Sequence, residues 1–217
     1  MKKCIIIANG KSPKKSELNF FIKNGYTDII CADGGANNAY KLKIIPNYII
    51  GDLDSIEIKV LKYFEGKSKI MKDKNQYDTD VEKCLKYAIK KKFTHAVLFG
   101  GIGSRLDHSI CNLGIIIKFY NKINVSILSG ISYLISYKGE KIIQTKKGET
   151  ISFYGFDKKT KFTSSDLKYP LKNITLPLGK KESTSNVALS ECVKIKISGG
   201  IGFIIRDFKM VKLNGLF

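Results

Sequence analysis

The 217-residue chain is 43% hydrophobic and 26% charged, an ordinary globular mixture whose Ile, Leu, Val and Phe content excludes overall disorder. Its apolar runs fall well short of the roughly 18 residues that a membrane helix needs, so no membrane partner is expected. A net charge of +19, from 38 basic against 19 acidic residues, would suit a polyanionic partner, but only Arg105 and Arg206 are arginine, so no specific nucleic-acid partner is expected.

Met1-Lys2-Lys3 followed by Cys4-Ile5-Ile6-Ile7 carries charges that suit a signal peptide. The apolar stretch is only about five residues, too short for that role, and residues 4–8 are expected to form a first buried strand. Leu18, Phe21 and Ile22 give residues 14–23 a helical period. A second buried strand is predicted at 27–32, then Asp33-Gly34-Gly35 and a helix at 36–42. A third strand at 48–50 runs into Gly51-Asp52-Leu53-Asp54-Ser55, followed by a helix at 57–64 and a short strand at 68–71. Residues 79–91 form the clearest amphipathic helix, with Val81, Cys84, Leu85 and Ala88 on one face, Asp78 or Thr79 as cap and Glu82 in the first turn. A strand at 95–99, a helix at 107–120 and a strand at 125–128 complete the series.

This order predicts an α/β fold: an N-terminal three-layer domain over residues 1–130, with a mainly parallel sheet and helices on both faces. Ligands of such sheets bind at the carboxyl ends of the strands, where the polar clusters fall. Beyond residue 130 helical periodicity stops. Short strand-like runs at 133–137, 141–144, 150–154, 161–163, 173–176, 193–197 and 203–206 are separated by turn signals such as Lys138-Gly139 and Ser198-Gly199-Gly200. Residues 131–217 are therefore expected to form an antiparallel β-sandwich domain. Five cysteines stand singly, without a C-x-x-C pair, which fits a reduced, cytoplasmic protein.

Two segments carry chemistry. Asp52 and Asp54, at i and i+2, would point the same way in an extended strand end and offer hard oxygen ligands to Mg²⁺; the alternative is an Asp- and Ser-rich turn. Asp33, Asp78, Asp80 and Asp107 lie at other strand ends, and carboxylates converging on one rim need bound cations. The second segment is Gly100-Gly101-Ile102-Gly103-Ser104-Arg105-Leu106-Asp107-His108. Its glycines would admit backbone N–H groups to phosphate oxygens, Arg105 could clamp a phosphate, and the following helix would aim its positive end there; alternatively Asp107 only caps that helix. P-loop and dinucleotide fingerprints are absent. His108 could touch phosphate or sit on the helix surface.

The series Asp33-Gly34-Gly35-Ala36-Asn37, Gly51-Asp52-Leu53-Asp54-Ser55, Gln76-Tyr77-Asp78-Thr79-Asp80, Gly100 to His108 and Ser183-Thr184-Ser185-Asn186 resembles the thiamine pyrophosphokinase family over nearly the whole chain. The resemblance implies transfer of the terminal pyrophosphoryl unit of ATP, a co-substrate, to the hydroxyl of thiamine, giving thiamine diphosphate and AMP with Mg²⁺. It also implies a homodimer with active sites at the interface. By similarity Asp52, Asp54 and Asp80 would hold Mg²⁺, and Asp80, Arg105 and Asp107 would be catalytic, with Asp107 or Asp80 accepting the alcohol's proton. Asn9, Asp33, Gly34, Gly35, Gly101, Arg105 and His108 would bind ATP, and Gln76, Asp107, Tyr169, Ser185 and Asn186 would bind thiamine. Bacterial relatives often carry Glu where this chain has Val187, and Tyr77 stands where an acidic residue is common in the family. The competing readings are another Mg²⁺-dependent nucleotide-using transferase and a basic nucleic-acid-binding protein, whose affinity would fall steeply with salt.

Overall fold

Short, almost unbroken apolar runs make the strands of the N-terminal half, because a strand covered on both faces has no polar side to present. These are β1 (Lys3–Ile7), β2 (Tyr26–Ala32), β3 (Tyr48–Gly51), β4 (Lys69–Lys72), β5 (His95–Phe99) and β6 (Asn124–Ser129). Between them run α1 (Lys15–Lys23), α2 (Gly35–Lys41), α3 (Ile58–Phe64), α4 (Asp80–Lys90) and α5 (Leu106–Phe119). The computed structural model describes residues 1–103 and 105–215; Ser104 of the glycine-rich segment lies outside them. The described chain divides into two compact units, one over Met1–Ser129 and one beginning at Gly130.

In the first unit the strands lie in the order β6-β5-β1-β2-β3-β4, all parallel. The chain winds outward from β1 to β4, then returns to the other side of β1 for β5 and β6. Right-handed crossovers place α1–α3 on one face and α4 and α5 on the other, and the strand order reverses between β1 and β5, the place where such sheets open a crevice. The core includes fully buried Ile5, Ile6, Ile7, Ile30, Ile49, Leu85 and Val97. Leu18 and Phe21 of α1 are buried as expected, but Ile22 is 43% exposed, since the buried stripe follows the 18/21 side of the helix. Thr79 rather than Asp78 caps α4: its hydroxyl accepts from the Glu82 N–H at 3.3 Å, and the Glu82 carboxylate accepts from the Thr79 N–H at 3.2 Å.

The second unit is antiparallel: β7 (Ser132–Gln144), β8 (Thr150–Gly155), β9 (Lys161–Ser164), β10 (Ile174–Thr175), β11 (Ser183–Val187) and β12 (Cys192–Asp207), followed by α6 (Phe208–Asn214). β12 pairs with β7 along its length, with β8 through Gly202–Arg206 and with β9 through Ile195–Ser198; β11 adds to β8 and β10 to β9. The Lys138-Gly139 and Ser198-Gly199-Gly200 signals are not turns between separate strands. β7 and β12 run through them, and residues 198–201 bulge opposite Lys138, because the partner ladder resumes on both sides of the glycines. Arg206 is buried with Glu149, donating from Nε at 2.6 Å and from Nη2 at 3.0 Å, and also reaches the Gln144 carbonyl at 2.7 Å.

Glu149→Gln preserves the shape of this pair but removes the carboxylate charge from beside a buried guanidinium. It is expected to lower unfolding stability by about 3 kcal/mol, read as a lower midpoint in urea denaturation.

Candidate active site

The carboxyl ends of β1 to β5 open into one cleft of about 650 Å³. Each strand delivers polar residues to it: Asn9 and Gly10 follow β1, Asp33 and Gly34 follow β2, Asp52 and Ser55 follow β3, Gln76 to Asp80 follow β4, and Gly100, Gly101, Gly103 and Arg105 follow β5. The first turns of α5 add Asp107, His108, Cys111 and Asn112.

Asp33, Asp52 and Asp80 bring one carboxylate oxygen each within 4.8 Å of one another. Asp33 is 2% exposed and adopts φ +41°, a left-handed conformation that Asp tolerates better than most residues and that strained functional positions use. Its Oδ2 accepts the Ser55 N–H at 2.9 Å, while Oδ1 is buried with no partner among the described residues. Burial pushes the Asp33 carboxyl above the usual range, against the Ser55 hydrogen bond, and the charges of Asp80 and Asp54 add to the rise. Gly51 leaves room for this carboxylate, since a Cβ there would lie 2.6 Å from the Asp33 Cβ. Asp52 is half-buried. The desolvation that raises its pKa is outweighed by hydrogen bonds from the Gln76 amide at 3.3 Å and the Asp54 N–H at 3.4 Å and by the Lys83 charge, which together hold it low.

Like charges at this range oppose one another by roughly 3 kcal/mol per pair at the dielectric of a protein surface. An oxygen-lined site with a buried, unpartnered carboxylate oxygen fits a hard divalent cation. The gathered residues include Asp33, which the expected metal set lacked, and Asp54 stands beside them, its charge acting on Asp33 and its side chain on Asp52. Leu53 has φ +67°, so residues 52–55 bend rather than continue as an extended strand end, and Asp54 accepts the Ser55 hydroxyl at 2.8 Å. Asp78, at the cleft wall, is paired with Lys86 at 2.6 Å.

Buried amides tether the loops of the cleft. Asn38 of α2 donates to the Ala8 and Gly10 carbonyls at 3.2 and 3.1 Å. Its neighbour Asn37 donates to the Ser55 carbonyl at 2.9 Å and accepts the Glu57 N–H at 3.0 Å. Asn112 of α5 donates to the Gly101 carbonyl at 2.7 Å. Gly35 does not line the cleft: a Cβ there would meet the Ile7 carbonyl at 1.9 Å, so its role is to seat α2 against β1. α5 starts at Leu106 with Arg105 at its cap position and no side-chain cap, so Asp107 is a first-turn residue and not the cap. Arg105 grips Asp107 through Nε at 3.2 Å and Nη2 at 2.6 Å, with both side chains largely in solvent. This pair, chiefly through its hydrogen bond, holds Asp107 near a pKa of about 2.

In the second unit Tyr169 is 60% exposed. Asn186 is buried beneath it: its Oδ1 accepts the Tyr169 N–H at 3.1 Å and its amide donates to the Tyr169 carbonyl at 2.7 Å and to Ser183 Oγ at 3.2 Å. Asn186 is thus a backbone clamp on Tyr169, with its polar atoms already used. Ser185 is exposed at φ +55° in a bulge of β11, with its N–H on Ser152 Oγ at 3.0 Å. Sequence reasoning missed Lys83, Asn37, Asn38 and Asn112; the Asn37-Asn38 pair just behind Asp33-Gly34-Gly35 was the available signal.

Two protein-family models match the chain: "Thiamin pyrophosphokinase, catalytic domain" over residues 22–128 and "Thiamin pyrophosphokinase, vitamin B1 binding domain" over residues 140–201. Thiamin pyrophosphokinase 1 of Caenorhabditis elegans is 28% identical over 192 residues, spanning 81% of this chain and 77% of the relative. Thiamine pyrophosphokinase of Bacillus subtilis is 27% identical over 219 residues, spanning 95% and 99%. The solved thiamin pyrophosphokinase of Candida albicans shares the fold, with a TM-score of 0.80 at 23% identity over 95% of this chain and 89% of that one. The readings as a nucleic-acid-binding protein or a different transferase are not favoured. With matched family domains in both halves and relatives of the same name along nearly its whole length, the chain belongs to the thiamin pyrophosphokinase family.

Proposed function

We propose that the protein transfers the terminal pyrophosphoryl unit of ATP to the hydroxyl of thiamine, with Mg²⁺, releasing AMP. The observation that carries this reading is the buried Asp33 carboxylate, one oxygen of which has no partner among the described residues, gathered with Asp52 and Asp80 in the cleft. Asp33, Asp52 and Asp80 would hold Mg²⁺, which when bound neutralises polyphosphate charge and orients it for in-line transfer.

The remaining roles belong to the chain's own groups. Asn9, Gly34, Gly101 and His108 line the part of the cleft reached from β1, β2 and β5, where the triphosphate would lie against loop backbone and the uncapped start of α5. Arg105 is free to exchange partners, because an exposed ion pair costs little to open. When its guanidinium turns to a phosphate, Asp107 loses the hydrogen bond that depresses it and regains the basicity to accept the thiamine hydroxyl proton. Gln76, hydrogen-bonded to Asp52, would orient the substrate beside the cluster. Tyr169 offers a flat apolar wall to the pyrimidine ring and Ser185 an exposed hydroxyl. Five free thiols fit the reducing cytoplasm. A homodimer with interfacial sites, which the family resemblance implies, completes the reading.

Incubation with thiamine, ATP and Mg²⁺ should yield AMP and thiamine diphosphate by chromatography, and no AMP when thiamine is left out; ADP as product would refute the donor chemistry. Asp80→Asn should lower kcat at least a hundredfold with an unchanged circular dichroism spectrum. Asp33→Asn should abolish turnover yet raise the melting temperature of the metal-free protein by a few degrees, because it removes a buried charge that lacks a full set of partners. Tyr169→Ala should raise KM for thiamine about tenfold while leaving KM for ATP unchanged, with Tyr169→Trp close to wild type.

A further inference from the structure

Lys83 is the one lysine that is buried among the described residues. A buried ammonium persists only when paired, and here the pair is Asp80, whose Oδ1 accepts from Nζ at 3.0 Å. The side chain is 4% exposed, against 34% for Asp80. The two residues stand three apart on α4, so the helix itself fixes their separation. That helix start cannot shift easily: Thr79 and Glu82 cap one another, and the buried Glu82 carboxylate also binds Lys118 of α5. The charges of Asp52 and Asp73 also face the ammonium, and Lys83 forms part of the cleft wall. The cluster that would receive a divalent ion therefore has a fixed positive charge built into its side.

This charge acts in opposite directions on the two forms in which the ion can arrive. It repels a bare divalent cation and attracts a polyphosphate that carries one. It also occupies one oxygen of Asp80, leaving the other for the ion. We propose that Lys83 is a positioning residue that holds Asp80 in the cluster and biases the cleft against the bare ion and toward the ion delivered on a polyphosphate. The inference rests on the reading that Asp33, Asp52 and Asp80 form the metal site.

The test uses the full chain as wild type, Lys83→Met and Asp52→Asn, with Lys83→Gln as a second neutral variant should the Met protein fail to fold. Mn²⁺ alone, a stand-in that takes the same oxygen ligands, is titrated by EPR of the free ion; ATP with Mg²⁺, without thiamine, is titrated by calorimetry. The neutral Lys83 variant should bind Mn²⁺ about tenfold more tightly and the Mg²⁺–ATP complex about tenfold more weakly than wild type. Mere structural damage would weaken both. Parallel losses, or affinities unchanged from wild type while Asp52→Asn loses Mn²⁺, would overturn the role of Lys83 alone. Equal Mn²⁺ affinity in wild type and Asp52→Asn would overturn the acidic-cluster reading, and this inference with it.

Discussion

Asp33 places a carboxylate almost entirely out of water, yet among the described residues only one of its two oxygens accepts a hydrogen bond, from the Ser55 N–H. Two further carboxylates stand within 4.8 Å of it. Folding alone would not favour this arrangement, since burial and mutual repulsion both oppose ionisation. The surrounding structure is organised to hold it nonetheless. Gly51 yields the space, Ser55 supplies the single donor, and Asp33 accepts a left-handed backbone to turn from β2 into α2.

The loops that carry these groups are fastened from behind. Asn37 and Asn38 are adjacent on α2, yet one holds the loop after β3 and the other the loop after β1. Asn112 does the same for the glycine-rich loop after β5. Backbone-directed side-chain amides of this kind allow short loops to keep a fixed shape without regular structure of their own, which a charged site needs if its groups are not to drift apart.

Much of this was legible from the sequence. Continuous apolar strands and the 3.6-residue period of α4 gave the parallel sheet, and acidic residues at successive strand ends pointed to its carboxyl rim. What the sequence hid were backbone angles and burial. The positive φ of Leu53, which bends the chain between Asp52 and Asp54 out of an extended strand end, leaves no mark in the sequence. Asp80 and Lys83 have the spacing of an ordinary surface ion pair, and nothing local tells that the lysine is buried. The family resemblance implied a thiamine contact for Asn186, and only the fold shows that its amide is buried on the Tyr169 backbone. The glycines at 139 and 199 resemble turn residues, and only the register of β7 against β12 shows an uninterrupted ladder with a bulge.

β12 is the last strand in chain order, and β7, β8 and β9 all pair with it. The parallel pairings of β6 with β5, β5 with β1, β1 with β2, β2 with β3 and β3 with β4, by contrast, are all available before residue 130. During synthesis the first half can therefore mature as it leaves the ribosome, while β7, β8 and β9 emerge with exposed edges and wait for a partner that is translated roughly 50 residues after β7 ends. At usual elongation rates that delay lasts seconds, long enough for chaperones, or for a neighbouring nascent chain, to reach those edges first.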